Sequence, residues 1–390
     1  MKANVSMSRR LGTATLLSGL CALAMLMAAL GASGVSAANA RDAGELTPVE
    51  TAGPFEYPWS IAFLPSGGML ITGKPGRLYY VDTDGRARLI SGLPTLHPGL
   101  EGGLLDVVLD PAFDRNGLLY FSYTHGEDGG VTVRIMKARL DLERQSLHDQ
   151  VVIFESSPPG RDNRYLGGRL AVTKDSHLFL TLGYRGESDR AQRLSDDAGK
   201  IIRIHTDGSI PSDNPFTTRV GARPEIWSYG FRNPQGLAIN QKNGAIWVTD
   251  HGPRGGDELD LVKPAGNYGW ALVSHGINYD GTPVGTGRRS APGIEDPVHT
   301  WTPSIAPSGL AIQHDGGKTV FWIGGLAARA VTRLTFTNNR MISEERFLVG
   351  QLGRVRDVRE GPDGAIYVLT DAADGRLYRL TPAGSRPGEH

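Results

Sequence analysis

Polar residues gather just ahead of several similar phrases in this sequence. They are Glu101-Gly102-Gly103, Arg164-Tyr165-Leu166-Gly167-Gly168-Arg169, Phe231-Arg232-Asn233-Pro234-Gln235-Gly236 and Arg354-Val355-Arg356-Asp357. Guanidinium groups bind carboxylates through paired, forked hydrogen bonds. The arginines of these segments, with Asn233, gathered at one mouth therefore suit a small planar anion carrying several carboxylates. The competing role is structural, because an arginine can neutralise Asp106, Asp257 or Asp357 and tie neighbouring elements together. Arg169 is the first candidate for that role.

A second cluster reads Thr249-Asp250-His251-Gly252-Pro253-Arg254-Gly255-Gly256-Asp257-Glu258-Leu259, followed by Gly266-Asn267-Tyr268-Gly269-Trp270. A Gly/Pro loop that exposes main-chain carbonyls beside Asp and Glu can bind a hard cation such as calcium. It lacks the spacing of an EF-hand loop, so a solvated acidic turn is the competing reading. His251, a lone loop histidine, fits a packing or hydrogen-bonding role.

The elements that must position these residues are repeats. Each copy is a strand, a turn with Asp, Asn or Gly, and a second strand rich in branched and aromatic residues. The copies begin at Ile61, Val107, Leu170, Leu237, Leu310 and Val358, 46 to 73 residues apart. A third strand follows in Gly76–Val81, Gly199–Ile204 and Gly375–Leu380. The spacing predicts an all-β, six-bladed β-propeller of four-stranded blades, with residues of equal phase facing the central axis. A β-sandwich explains the hairpins equally well, but the repeats extend far beyond the roughly 100 residues of a usual sandwich.

Composition narrows the function classes. Forty-one basic and forty-one acidic residues cancel, so the chain has no general attraction for polyanions, and nucleic acid is not an expected partner. The 52 glycines among 390 residues match a turn-rich β protein. Lys2, Arg9 and Arg10 precede an apolar run from Leu11 to Leu30 and then Val35-Ser36-Ala37, the pattern of an export signal over residues 1–37. The expected mature protein is periplasmic or secreted, has no stable membrane anchor and is a monomer or homodimer. The propeller is expected over 45–382, with a frayed tail at 383–390. Cys21 is the single cysteine and lies inside the signal, so the mature chain has no C-x-x-C-H haem site and any redox chemistry needs a non-covalent cofactor.

Several phrases in order resemble the soluble pyrroloquinoline-quinone-dependent aldose sugar dehydrogenases, the glucose/sorbosone dehydrogenase family. They include Glu101-Gly102-Gly103-Leu104-Leu105-Asp106, Ser228-Tyr229-Gly230-Phe231-Arg232-Asn233-Pro234-Gln235-Gly236, His251-Gly252-Pro253-Arg254-Gly255-Gly256-Asp257-Glu258 and Arg354-Val355-Arg356-Asp357-Val358. The resemblance implies a six-bladed propeller whose tricarboxylate quinone lies over the central channel. Arg232, Asn233, Arg354 and Arg356 would hold that cofactor. Main-chain oxygens of Gly252 and Pro253 would bind the calcium ion that also grips it. Glu258 and Tyr268 match positions associated with a second, structural calcium. A sugar or alcohol would be the substrate, and an external electron acceptor would re-oxidise the quinone.

The departures lie on one side of the mouth. Where the family usually reads H-F-G-G-R, with the histidine as base, this chain reads Tyr165-Leu166-Gly167-Gly168-Arg169. A tyrosine with an ordinary pKa of about 10 is a poor proton acceptor at neutral pH, although Arg164 and Arg169 flank it. The acidic residue usual before that histidine is Arg164, the glutamine usual before G-G-L-L is Glu101, and the family's L-G-D-x-G is Leu182-Gly183-Tyr184-Arg185-Gly186. Three functions compete on these residues. One is a dehydrogenase with Glu101 or Tyr165 as base, impaired or altered in substrate. Another is an inactive carbohydrate- or quinone-binding propeller. The third is a calcium-dependent lactonase, which needs carboxylates rather than arginines on the axis.

Overall fold

The computed structural model describes residues 45–127 and 130–382. The proposed export signal, Cys21 and the expected frayed tail lie outside the described residues. Six antiparallel four-stranded sheets form the blades. Their inner strands are Pro58–Phe63, Leu104–Leu109, Gly167–Val172, Pro234–Ile239, Pro307–Asp315 and Val355–Glu360. Each inner strand packs beside the next, and the ring closes between Val355–Glu360 and Pro58–Phe63. All six repeat starts fall inside these strands. The protein is a six-bladed β-propeller.

Sequence periodicity explains the packing. Branched and aromatic residues make both faces of each sheet apolar, and one sheet cannot bury both faces alone. Apolar clusters therefore sit at the blade interfaces: Leu70 and Leu78 pack with Leu104 and Phe121, and Phe179 and Ile201 pack with Leu237 and Val248. Leu310 and Phe321 meet Leu259 and Trp301 in the same way. Each fully buried Leu or Phe contributes about 1.5–3 kcal/mol relative to exposure.

The sixth blade is composite. Val355–Glu360, Ile366–Thr370 and Gly375–Pro382 supply three strands, and Leu46–Phe55 from the other end of the chain supplies the outer one. Leu46 pairs with Pro382 and Phe55 with Gly375, with two register shifts between them. The shifts break the strict alternation of Leu46–Phe55, which is why this strand has no repeat signature.

The axis carries charge. The third residue of each inner strand is Ser60, Asp106, Arg169, Gly236, Gly309 or Asp357, in blade order. Arg169 is fully buried and lies 3.1 Å from Asp357. Arg359 reaches Asp106 at 3.1 Å and Asp357 at 3.0 Å. Ser60 donates to Asp106. Arg169 is thus a blade-tying residue, and both axial aspartates are spent on arginines rather than available as metal ligands.

Candidate functional site

Antiparallel hairpins bring the starts of the inner strands and the ends of the second strands to the same mouth. Glu101, Tyr165, Arg232, Asn233, Arg354 and Arg356 come from the first set, and Lys74, His251 and Asp371 from the second. Together they line one cavity of about 330 Å3. Trp59 also lines it, and its ring lies 4.0 Å from the Arg169 guanidinium on the axis. Two long connections, between Leu182 and Lys200 and between Val262 and His299, carry Tyr184, Trp270 and Tyr279 to this end. Tyr184 and Trp270 are buried, whereas Tyr279 is exposed and lines the cavity.

The arginine side is held by carboxylates. Asp250 ends the strand Ile246–Asp250, and its two oxygens accept the main-chain N–H groups of Arg232 at 2.7 Å and Asn233 at 2.6 Å. Burial pushes the Asp250 carboxyl up to about 6 against the pull of those two N–H groups. The Asn233 side-chain oxygen accepts from Gly167 N–H at 3.1 Å and from Gln235 at 3.2 Å, which leaves its amide N–H groups to offer a ligand. Asp371 accepts from Arg354 Nε at 2.9 Å and from Arg356 Nη2 at 3.1 Å. Burial opposes ionisation of Asp371, but Arg356 and Arg354 hold its carboxyl below the usual range.

The two blades preceding that of Arg232 carry the departures. Glu101 accepts the Tyr165 main-chain N–H at 2.8 Å. Burial raises the Glu101 carboxyl above the usual glutamate range, with Tyr165 N–H, Arg356, Arg232 and Lys74 pulling against it. Tyr165 has a left-handed backbone, φ 50°, which costs a non-glycine residue roughly 1–2 kcal/mol. Glycine at 183 is required beside it, because any side chain there would run into the Tyr165 carbonyl. The Tyr165 ring lies 4.6 Å from that of Tyr184. Burial raises the Tyr184 phenol, Arg232 opposes this and Tyr165 adds to it. Of the arginines that flank Tyr165 in sequence, Arg164 pairs with Asp162 and Arg169 with Asp357. The guanidinium that faces its ring is Arg232, at 5.1 Å.

The cation candidates lie next door. Gly252, Glu258 and Tyr268 line a small adjoining cavity that shares Arg232 and His251 with the larger one, whereas Pro253 lines neither. The acidic segment is not a solvated turn: Asp257–Val262 is the third strand of its blade, which puts Glu258 and Asp260 on one face. Asp257 is fully engaged, one oxygen accepting from Ser304, Ile305 and Ala306 and the other from the Gly252 main-chain N–H at 2.9 Å. Burial, together with Asp260, Asp250 and Asp257, raises the Glu258 carboxyl well above its usual range. The Tyr268 hydroxyl donates to Leu261 O at 2.7 Å and accepts from Lys263 N–H at 2.9 Å, so its main-chain oxygen is the atom it can give a cation. His251 Nε2 donates to Pro307 O at 2.6 Å, and burial and then Arg232 push its imidazole down to about 3, so it stays neutral.

These residues fit the expected groups. Arg232 Nε and Arg356 Nε are buried without a hydrogen-bond partner, as unspent donors for a carboxylated ligand are. Both carboxylate oxygens of Asp260, which is 1% exposed, are also unpartnered, and an isolated buried carboxylate is costly unless protonated or near a cation. No three acidic, His or Cys side chains converge as a ready-made cage among the described residues, so main-chain oxygens would complete any calcium site. Asp371 and Lys74 had not stood out in the sequence. A signal for both existed: Lys74, His251 and Asp371 each directly follow the last residue of the second strand of their blades.

Comparisons with known proteins agree with this fold. Aldose sugar dehydrogenase YliI of Escherichia coli (strain K12) is 39% identical over 337 residues, 84% of this chain and 90% of that protein. The crystal structure of soluble aldose sugar dehydrogenase from Escherichia coli in its apo-form superposes with a TM-score of 0.83 at 36% identity, covering 86% of this chain and 99% of the other. The PQQ-bound form of aldose sugar dehydrogenase from Streptomyces coelicolor matches with a TM-score of 0.74 at 28% identity, covering 87% and 99%. The Glucose / Sorbosone dehydrogenase family profile matches residues 55–379, from the first blade's approach to the last strand, and the chain belongs to that family.

Proposed function

We propose that this protein oxidises the anomeric CH–OH of aldose sugars to lactones, using pyrroloquinoline quinone and calcium. The observation that carries the proposal is the shared cavity, which brings Arg232, Asn233, Arg354 and Arg356 together with Glu101. When bound, the quinone supplies the acceptor for the hydride leaving the anomeric carbon, and calcium supplies Lewis acidity at a quinone carbonyl. Arg232, Asn233, Arg354 and Arg356 would hold the quinone. Gly252 and Pro253 would offer main-chain oxygens to the catalytic calcium, and Glu258 with Tyr268 would hold the structural one.

Glu101 takes the proton of the anomeric hydroxyl. One of its oxygens is fixed by Tyr165 N–H and the other is left for substrate. Its raised pKa makes it a stronger base than an ordinary glutamate once ionised. Tyr165 serves through its main chain, which orients Glu101, and through its ring, which packs against Arg232. An external quinone, cytochrome or dye re-oxidises the cofactor, and the mature protein works after export.

The test is aldose-dependent dye reduction by purified protein reconstituted with the quinone and calcium, beside a Tyr165→His variant. Turnover that vanishes when quinone, calcium or dye is omitted is the expected result. Activity in the variant alone would mean that the cofactor site survives without a working base. Silence from both would overturn the reading in favour of a binding propeller.

A further inference from the structure

Arg232 is placed to contact a tricarboxylate, yet its guanidinium is already engaged elsewhere. Its Nη1 donates to the carbonyls of His251 at 3.1 Å and Gly252 at 2.7 Å. Three rings surround it, with centroids 5.1 Å away for Tyr165, 5.2 Å for Trp270 and 5.8 Å for Tyr184. Carbonyl oxygens that converge on one positive charge, backed by aromatic faces, make a cation site. The cation in it is a side chain. Two of the three rings, Tyr165 and Tyr184, stand where the family pattern has histidine and aspartate, so this cage belongs to this chain.

The Gly252 carbonyl cannot serve two masters at short range. A divalent ion on that oxygen would sit against the Arg232 guanidinium, and like charges in a partly buried site repel strongly. We propose that Arg232 and calcium exclude one another at the Gly252 carbonyl, so that calcium enters only when a carboxylate of the quinone draws the guanidinium out of its cage. Arg232 therefore has two addresses, the carbonyl pair and the cofactor. The two ligands load as a couple, calcium binding weakly alone and tightly with the quinone. This inference rests on the cofactor reading above.

The experiment is calorimetric titration with calcium chloride of chelator-stripped protein without quinone, in a Glu258→Gln background that removes the neighbouring cation candidate. Arg232→Gln, which deletes the resident charge, is expected to tighten calcium binding at least tenfold, whereas Arg232→Lys, which keeps a cation, stays weak. Thermal melts establish that each variant is folded. Should Arg232→Gln not fold, Trp270→Leu, which opens the cage but keeps the guanidinium, is expected to tighten calcium binding as well. Calcium binding that is unchanged or weaker in the folded variants overturns the proposal. Quinone binding to unmodified protein, followed by absorbance, is read separately: its failure would remove the cofactor reading, while the calcium comparison would still decide whether Arg232 competes for the Gly252 carbonyl.

Discussion

The main-chain N–H of Tyr165 donates to the carboxylate of Glu101 across 2.8 Å. The residue that replaces the family's base thus fixes the orientation of the acid that replaces its glutamine. Glu101→Gln keeps the shape and the acceptor for Tyr165 but cannot take a proton. Its kcat is expected to fall about 10²–10⁴-fold, with quinone affinity changed little, as read by dye reduction beside a quinone titration. An unchanged kcat would place the base elsewhere.

The acid limb of the pH profile belongs to the same group. Burial raises the Glu101 carboxyl, and the surrounding N–H and cations do not cancel that rise. The basic form accumulates as pH rises through the raised value, so kcat/KM should climb with pH and have its midpoint above the ordinary glutamate value of about 4.3. The limb should vanish in Glu101→Gln. Steady-state kinetics from pH 4 upward would show it, and an identical limb in both proteins would assign it to another group.

Asp371 joins two arginines of the cofactor side, accepting from Arg354 and Arg356 at 2.9 and 3.1 Å. Asp371→Asn leaves the two cations without their shared counter-charge. It should cost about 1.5–3 kcal/mol of stability and weaken quinone binding. Because the carboxyl is held below its unfolded value, its contribution is fully present above that value and is lost as pH falls through the folded one. The stability gap between the two proteins should therefore be flat near neutrality and close below about pH 4. Urea titrations at several pH values test this.

On the axis, Arg169→Met removes the fully buried guanidinium that faces Asp357 and stacks on Trp59. A buried acid that loses one partner typically costs about 3–5 kcal/mol. Arg359 also pairs with Asp106 and Asp357, which puts the expected loss at the lower end of that range. A denaturation midpoint within error of the unmodified protein would show that Arg359 alone neutralises the axis.

Local chemistry was readable from the residues; meetings between distant segments were not. The hairpins at Ile61 or Leu237 are written in alternation and turn residues, so blade number and phase followed directly. Phase in turn gathered Arg232, Asn233, Arg354 and Arg356 at one mouth. Arg169 is the third residue of its inner strand and faces the axis, whereas these four come earlier in their blades, a distinction of one to four positions that the clustering of polar residues does not resolve. Asp257–Val262 resembled a loop because Gly255-Gly256 precedes it and acids crowd it, whereas pairing with Ile246–Asp250 makes it a strand. The hold of Arg232 on the His251 and Gly252 carbonyls joins main-chain atoms that no side-chain pattern reports.

The composite sixth blade gives the molecule a temporal order. Thr47 and Thr381 meet across 334 positions of chain, so the first strand to be synthesised is among the last to find its place. Five blades can gather their strands from nearby sequence, but the ring cannot latch until nearly the whole polypeptide exists. Loop closure over that distance is paid for late, which makes latching the natural slow step. Until then the sheet edge at Gly375–Pro382 stands unpaired, a place where a second chain's strand could bind instead.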